Sequence, residues 1–197
     1  MSKLTRNFLR RLLGTAVLPA VVAPWPTAMA ADPSVASPRP VWWPTGTFGH
    51  IGAAEATQMA VVGLTWDWPW QRAFLGGRLG GYWEISIGRW NADSPPQGGG
   101  WFTHLGVTPV LRWNFGAGER WFAELGIGAN LLAPIYENDD KRFSTTFNFG
   151  DHLAIGRRFG EAAQHGLALR VQHFSNASIR KPNPGENFLQ LHYSRQF

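Results

Sequence analysis

The sequence predicts an all-β fold, an eight-stranded antiparallel transmembrane β-barrel, on three observations. From about Thr45 onward it is a succession of segments of roughly ten residues with alternating polarity, parted by Gly, Pro, Asp and Asn clusters. The less apolar faces hold Glu84, Arg112, Glu124 and Arg170 on separate segments, which suits a narrow barrel filled with paired charges. Trp and Tyr recur near segment ends, as in interfacial girdles.

The first two strands, residues 46–54 and 58–67, open the series. In the third, 78–90, Trp83, Ile85 and Ile87 oppose Tyr82, Glu84, Ser86 and Gly88. The fourth, 101–114, sets Leu105, Val107, Leu111 and Trp113 against Thr108, Arg112 and Asn114. In the fifth, 120–132, Trp121, Ala123, Leu125, Ile127, Ala129 and Leu131 oppose Phe122, Glu124, Gly126, Gly128 and Asn130. The sixth, 143–157, has Phe147, Phe149, Leu153 and Ile155 on its apolar face. Asp151 shares that face if the strand is regular, where a charge is costly, so a local bulge or a position below the girdle is the simpler expectation. His152 then points inward with Asn148. The seventh, 164–175, alternates Leu167, Leu169, Val171, His173 and Ser175 with Ala168, Arg170, Gln172 and Phe174. The eighth, 186–197, runs through Leu189, Leu191 and Tyr193 to Phe197, in the manner of the terminal strand of bacterial outer-membrane proteins. A water-soluble sandwich alternates too, so the barrel rests on the inward charges and the girdles. Eight strands leave an interior packed with side chains and no channel.

Residues 1–30 read as a cleaved signal peptide: Lys3, Arg6, Arg10 and Arg11, an apolar stretch from Leu12 to Val22, then Ala28-Met29-Ala30. Residues 31–197 form a single barrel domain. The formal charge of +5 overstates the mature protein, because four of the 18 basic residues lie in the leader and none of the 13 acids do, leaving +1. A nucleic-acid partner thereby loses its main electrostatic support. With no cysteine, disulfides and thiolate catalysis are excluded. The histidines His50, His104, His165 and His192 are scattered, Asp151 would face away from His152, and no metal site or Gly-rich phosphate loop is expected.

His173 and Ser175 place an imidazole and a hydroxyl on a face otherwise occupied by aliphatic residues. With an even strand number and both termini in the periplasm, the seventh strand runs outward and the connection near 177–184 is extracellular. The pair then faces the outer leaflet, which in a Gram-negative outer membrane is lipopolysaccharide. Residues i and i+2 on one strand face lie close enough for a His nitrogen to take the Ser proton as the hydroxyl attacks an ester carbonyl. The same spacing also fits two interfacial polar residues bonded to the loop.

The run His173-Phe174-Ser175-Asn176-Ala177, with Pro182-Asn183 and Gly185-Glu186 after it, resembles the lipid A deacylase family PagL. Supporting stretches are Gly63-Leu64-Thr65-Trp66-Asp67-Trp68, Gly77 to Trp83, and Glu124-Leu125-Gly126-Ile127-Gly128, and the similarity covers essentially the whole mature chain. The resemblance implies an outer-membrane serine esterase that removes the 3-O-linked 3-hydroxyacyl chain from lipid A, with no metal or organic cofactor, and it permits a homodimer. By position it implies that Ser175 is the nucleophile, His173 the general base and then acid, Glu186 the carboxylate orienting the imidazole, and Asn176 part of the oxyanion hole. Asn176 equally reads as a turn residue closing the strand.

The chain departs from the family pattern twice. Ser178 stands where the family has Gly, and an ungapped alignment puts the family's Glu on Asn187. Parity aligns Asn187 with Leu189, Leu191 and Tyr193, and turns Glu186 inward with Gln190 and His192. A bulge after Pro184-Gly185 would bring Glu186 to His173. Glu186 is favoured because a carboxylate better stabilises an imidazolium; Asn187 is the alternative third member. Two other readings are a non-enzymatic small outer-membrane barrel and a phospholipase or acyltransferase using the same Ser-His dyad.

Overall fold

The alternating segments form nine strands: β1 (Gly46–Ala54), β2 (Thr57–Asp67), β3 (Arg72–Phe74), β4 (Gly77–Ala92), β5 (Trp101–Phe115), β6 (Trp121–Ala133), β7 (Phe147–Phe159), β8 (His165–Ser175) and β9 (Glu186–Gln196). This computed structural model describes residues 40–93 and 100–197; the leader read in residues 1–30, and Gly98 and Gly99 of the β4–β5 loop, lie outside them. All pairings between the long strands are antiparallel, and β1 on β9 together with β2 on β4 close the sheet. The eight-stranded antiparallel barrel expected from the sequence is the fold. β3 is a three-residue arm against the start of β4, too short for alternation to reveal.

Alternation became burial because each strand puts one side-chain row inside and the next outside. Outward-facing Ile85, Ile87, Leu125, Ile127, Leu153, Ile155, Leu169 and Leu191 are exposed, as on a barrel that spans lipid. The interior is filled in two zones. Nearer the β8–β9 loop, Trp90, Phe102, Leu132, Phe174 and Phe188 form an apolar cluster. Toward the other end lies a charged layer. There Arg170 donates to both oxygens of Glu84, at 2.9 and 3.2 Å, and Arg112 Nε donates to Glu124 at 2.6 Å. Tyr82 donates to Glu124 at 2.7 Å. Charges with 1–8 % exposure survive there because each meets an opposite charge or a hydrogen-bond partner.

One boundary moved. The sixth expected strand begins at 147 rather than 143, since Phe143 turns into the apolar cluster and its N–H bonds to the Tyr136 carbonyl at 2.9 Å. Residues 134–146 therefore form a loop that folds down over the barrel mouth, burying Tyr136, Asn138 and Phe143.

Candidate active site

β8 ends on His173-Phe174-Ser175 and β9 begins on Glu186-Asn187, so the strand ends and the β8–β9 loop between them carry every residue given a catalytic role by the sequence. Pairing is regular to the end, with His173 opposite Asn187 and Phe174 opposite Glu186. His173 and Ser175 are half-buried on the outward face, while Phe174 is buried in the barrel. His173 Nδ1 lies 2.8 Å from Asn187 Oδ1. An amide oxygen only accepts, so Nδ1 carries the proton and Nε2 is left as the basic nitrogen, the tautomer a serine base requires. Among the described residues no hydrogen bond joins Ser175 to His173, as is common before substrate aligns the pair.

The structure does not bring Glu186 to His173, as was expected of a carboxylate orienting the imidazole. β9 enters the sheet without a bulge, and side-chain parity sends the carboxylate inward, where it is 1 % exposed. There Oε2 accepts from Tyr136 Oη at 2.9 Å, and Oε1 accepts from Lys141 Nζ at 2.9 Å. Oε1 also accepts the Asn187 backbone N–H at 3.1 Å, so Glu186 stands behind the residue that holds His173. Burial first, and then the Glu186 carboxylate, push the Tyr136 phenol well above its usual range, keeping it a donor. The geometry brings Asn187, not Glu186, to the imidazole.

Asn176, the residue expected in the oxyanion hole, has its donors engaged within the turn in this structure. Its side-chain nitrogen meets Ser144 Oγ at 2.9 Å, the Arg180 carbonyl at 2.8 Å and Thr145 Oγ1 at 3.2 Å. Its backbone N–H donates to Asn183 Oδ1 at 3.0 Å. These bonds fold a tight turn in which Ile179 N–H reaches the Asn176 carbonyl at 3.0 Å, with Ala177 and Ser178 at φ 51 and 63. The turn reading of Asn176 is the one this geometry favours, and Ser178 occupies the left-handed position where the family has Gly.

Several neighbours escaped the sequence. Gly185, at φ 66, packs so closely that a Cβ there would lie 2.5 Å from His173 Cε1. Tyr136, Asn138, Lys141, Ser144 and Thr145 converge from the 134–146 loop, where no periodic pattern announces a contact. Asp151 is unbulged after all: it lies opposite Ile127 on one side and opposite His173 on the other. A polar cavity of about 260 Å³ lies between Asp67, Arg78, Arg112 and Arg158, and none of the candidate residues lines it. Among the described residues no group of three or more His, Asp or Glu is placed to hold a metal ion. What the geometry offers is a base and a hydroxyl two residues apart on an open outer surface.

Comparison with known proteins identifies the family. The family model described as lipid A 3-O-deacylase (PagL) matches residues 59–196. A lipid A deacylase PagL of Bordetella bronchiseptica is 36 % identical over 151 residues, covering 75 % of this chain and 81 % of that protein. Another, of Pseudomonas aeruginosa, is 30 % identical over 190 residues, covering 94 % and 98 %. The crystal structure of the outer membrane enzyme PagL superposes with a TM-score of 0.67 at 26 % identity, covering 77 % of this chain and 99 % of that one. With a family match across most of its length and a barrel of the same architecture, the chain belongs to the lipid A 3-O-deacylase family.

Proposed function

We propose that this lipid A 3-O-deacylase cleaves its ester with Ser175 as nucleophile and His173 as base, at the outer rim of a Gram-negative outer-membrane barrel. The observation that carries this reading is the outward-facing His173, anchored through Nδ1 to Asn187 with Nε2 left basic two residues from a hydroxyl. Nε2 takes the Ser175 proton as Oγ bonds to the carbonyl carbon of the 3-O-linked 3-hydroxyacyl chain. The tetrahedral intermediate collapses by breaking the bond to the sugar oxygen, which receives the proton from Nε2. Water, deprotonated by His173, then adds to the acyl-serine and releases the 3-hydroxy fatty acid. The backbone amides of Ala177 and Ser178, next in the turn that Asn176 holds, are the proposed donors to the oxyanion.

The β8–β9 loop faces the cell exterior in this reading, with the chain termini in the periplasm. The acyl chain then stays in the lipopolysaccharide leaflet while its ester meets the barrel wall. One chain supplies every proposed residue. Mass spectrometry of lipid A from cells expressing wild type, Ser175→Ala and His173→Ala tests the assignment. Loss of one 3-hydroxyacyl group with wild type alone is expected; deacylation surviving in Ser175→Ala would remove Ser175 as nucleophile. Phospholipid hydrolysis and acyl transfer assayed in parallel separate the reaction from related ester chemistry.

A further inference from the structure

Asn187 leaves the site with a structural gap in charge. Its amide oxygen fixes the imidazole ring, yet it brings no negative charge to the imidazolium that forms when His173 accepts the Ser175 proton. Glu186 does not fill the gap, because its carboxylate points into the barrel and is held by Lys141 and Tyr136. We propose that Asp151, on the neighbouring strand, is the counter-charge of His173 and replaces electrostatically the carboxylate that position 187 lacks. This inference rests on the assignment of His173 and Ser175 above.

The sheet register places it there. Asp151 of β7 is directly opposite His173 of β8, which is directly opposite Asn187 of β9, so the three side chains form one row across the outer surface. Directly opposed residues have Cβ atoms about 4.5–5.5 Å apart, so the two side chains stand as neighbours on the outer surface, within reach of one another although no ion pair joins them in the absence of the imidazolium. The rest of the face is hostile to a charge: Leu153 and Ile155, next along β7, are 65 % and 55 % exposed as outward aliphatics. The strand pairs without a bulge on both sides, so the charge is not turned away. Holding a carboxylate on a lipid-facing surface is costly, and an adjacent developing positive charge offsets that cost.

No competing acid shares the face. The outward rows of β7, β8 and β9 carry one carboxylate, Asp151, and their outward basic groups, Arg157 and Arg195, stand toward the opposite end of the barrel. Arg170 on β8 points inward to Glu84, and Lys141 from the 134–146 loop is paired with Glu186. Arg180 and Lys181 in the β8–β9 loop are exposed cations, which oppose an imidazolium. A carboxylate near an imidazolium at the edge of lipid is screened less than in water, so its effect falls mainly on the chemical step.

The test is a double-mutant cycle on the purified full-length enzyme in detergent micelles containing lipid A, measuring kcat and KM for wild type, Asp151→Asn, Asn187→Glu and the double variant. Asp151→Asn is expected to lower kcat about tenfold or more, as expected for an opposite charge removed from within ~6 Å, with KM nearly unchanged. In the Asn187→Glu background, where position 187 carries the charge itself, the same substitution should cost less than about threefold. An equal loss in both backgrounds, a loss confined to KM, or no loss in the wild-type background would overturn the proposal; the second would make Asp151 a substrate-binding group. Asn187→Asp provides the second rescue should Asn187→Glu fail to fold. Ser175→Ala, run alongside, reports on the underlying site: residual deacylation there removes the site assignment, whereas a null Ser175→Ala with an additive cycle removes only the role of Asp151.

Discussion

Gly185 shows how much a single backbone position controls at this site. Its φ of 66 is one that residues with a Cβ rarely adopt, and the missing Cβ leaves the space filled by His173 Cε1. Gly185→Ala should therefore displace the imidazole from Asn187, lowering kcat about tenfold or more while the barrel still folds; steady-state kinetics beside β circular dichroism measure the two effects separately. Residues 173 and 175 were legible because two polar groups interrupt an aliphatic face at a spacing of two. Asn176 was half legible, since the turn preference of Asn emerged but the acceptors supplied by Ser144, Thr145 and Arg180 are distant in sequence or belong to backbone. For the third member, carboxylate chemistry argues for Glu186 and strand parity argues for Asn187. Parity prevailed, for a regular register keeps the ladder intact and the inward carboxylate finds a cation and a phenol waiting.

The 134–146 loop links the barrel mouth to the candidate catalytic row. Lys141 Nζ donates to Glu186 Oε1, the same oxygen accepts the Asn187 N–H, and Asn187 Oδ1 meets His173 Nδ1. On its other side Ser144 and Thr145 hold Asn176 at the turn after Ser175. One element thus supports both arms of the site. Glu186→Ala removes the acceptor behind Asn187 and leaves Lys141 unpaired, whereas Glu186→Gln keeps an acceptor oxygen. Activity should consequently fall in the order wild type, Gln, Ala, with the Ala variant losing about 1–3 kcal/mol of stability from the charged hydrogen bonds. Equal kcat for Gln and Ala variants, measured with thermal melts on the same preparations, would separate the carboxylate's charge from its acceptor role. Strand boundaries were readable because a period of two persists for many residues. This loop was not, because Tyr136, Asn138 and Phe143 earn burial by closing the barrel mouth, a tertiary fact with no sequence period.

Taken as a whole, the barrel separates stability from chemistry by radius. Its interior holds Arg170 between Glu84, at 2.9 Å, and Glu124, at 3.6 Å, with Arg112 and Tyr82 completing the layer. That four charges on separate strands face inward was visible in the sequence; which acid meets which base was not, since register and barrel closure decide it. Because the apolar cluster that includes Phe174 and Phe188 fills the interior behind His173 and Ser175, the candidate site meets a substrate on the outer surface. Removing one member leaves charge buried without compensation, the costly case for an internal ion pair. Arg170→Met should destabilise the barrel by about 3–5 kcal/mol, because two carboxylates lose their shared guanidinium. Combining it with Glu84→Gln should recover part of that loss by neutralising one of the stranded acids. Thermal loss of β circular dichroism in detergent measures both variants, and kcat measured well below the melt should stay near wild type because Arg170 points away from the ester-facing surface. A matching fall in kcat for the folded variant would instead mean that the inner charge layer governs the outer site through the sheet.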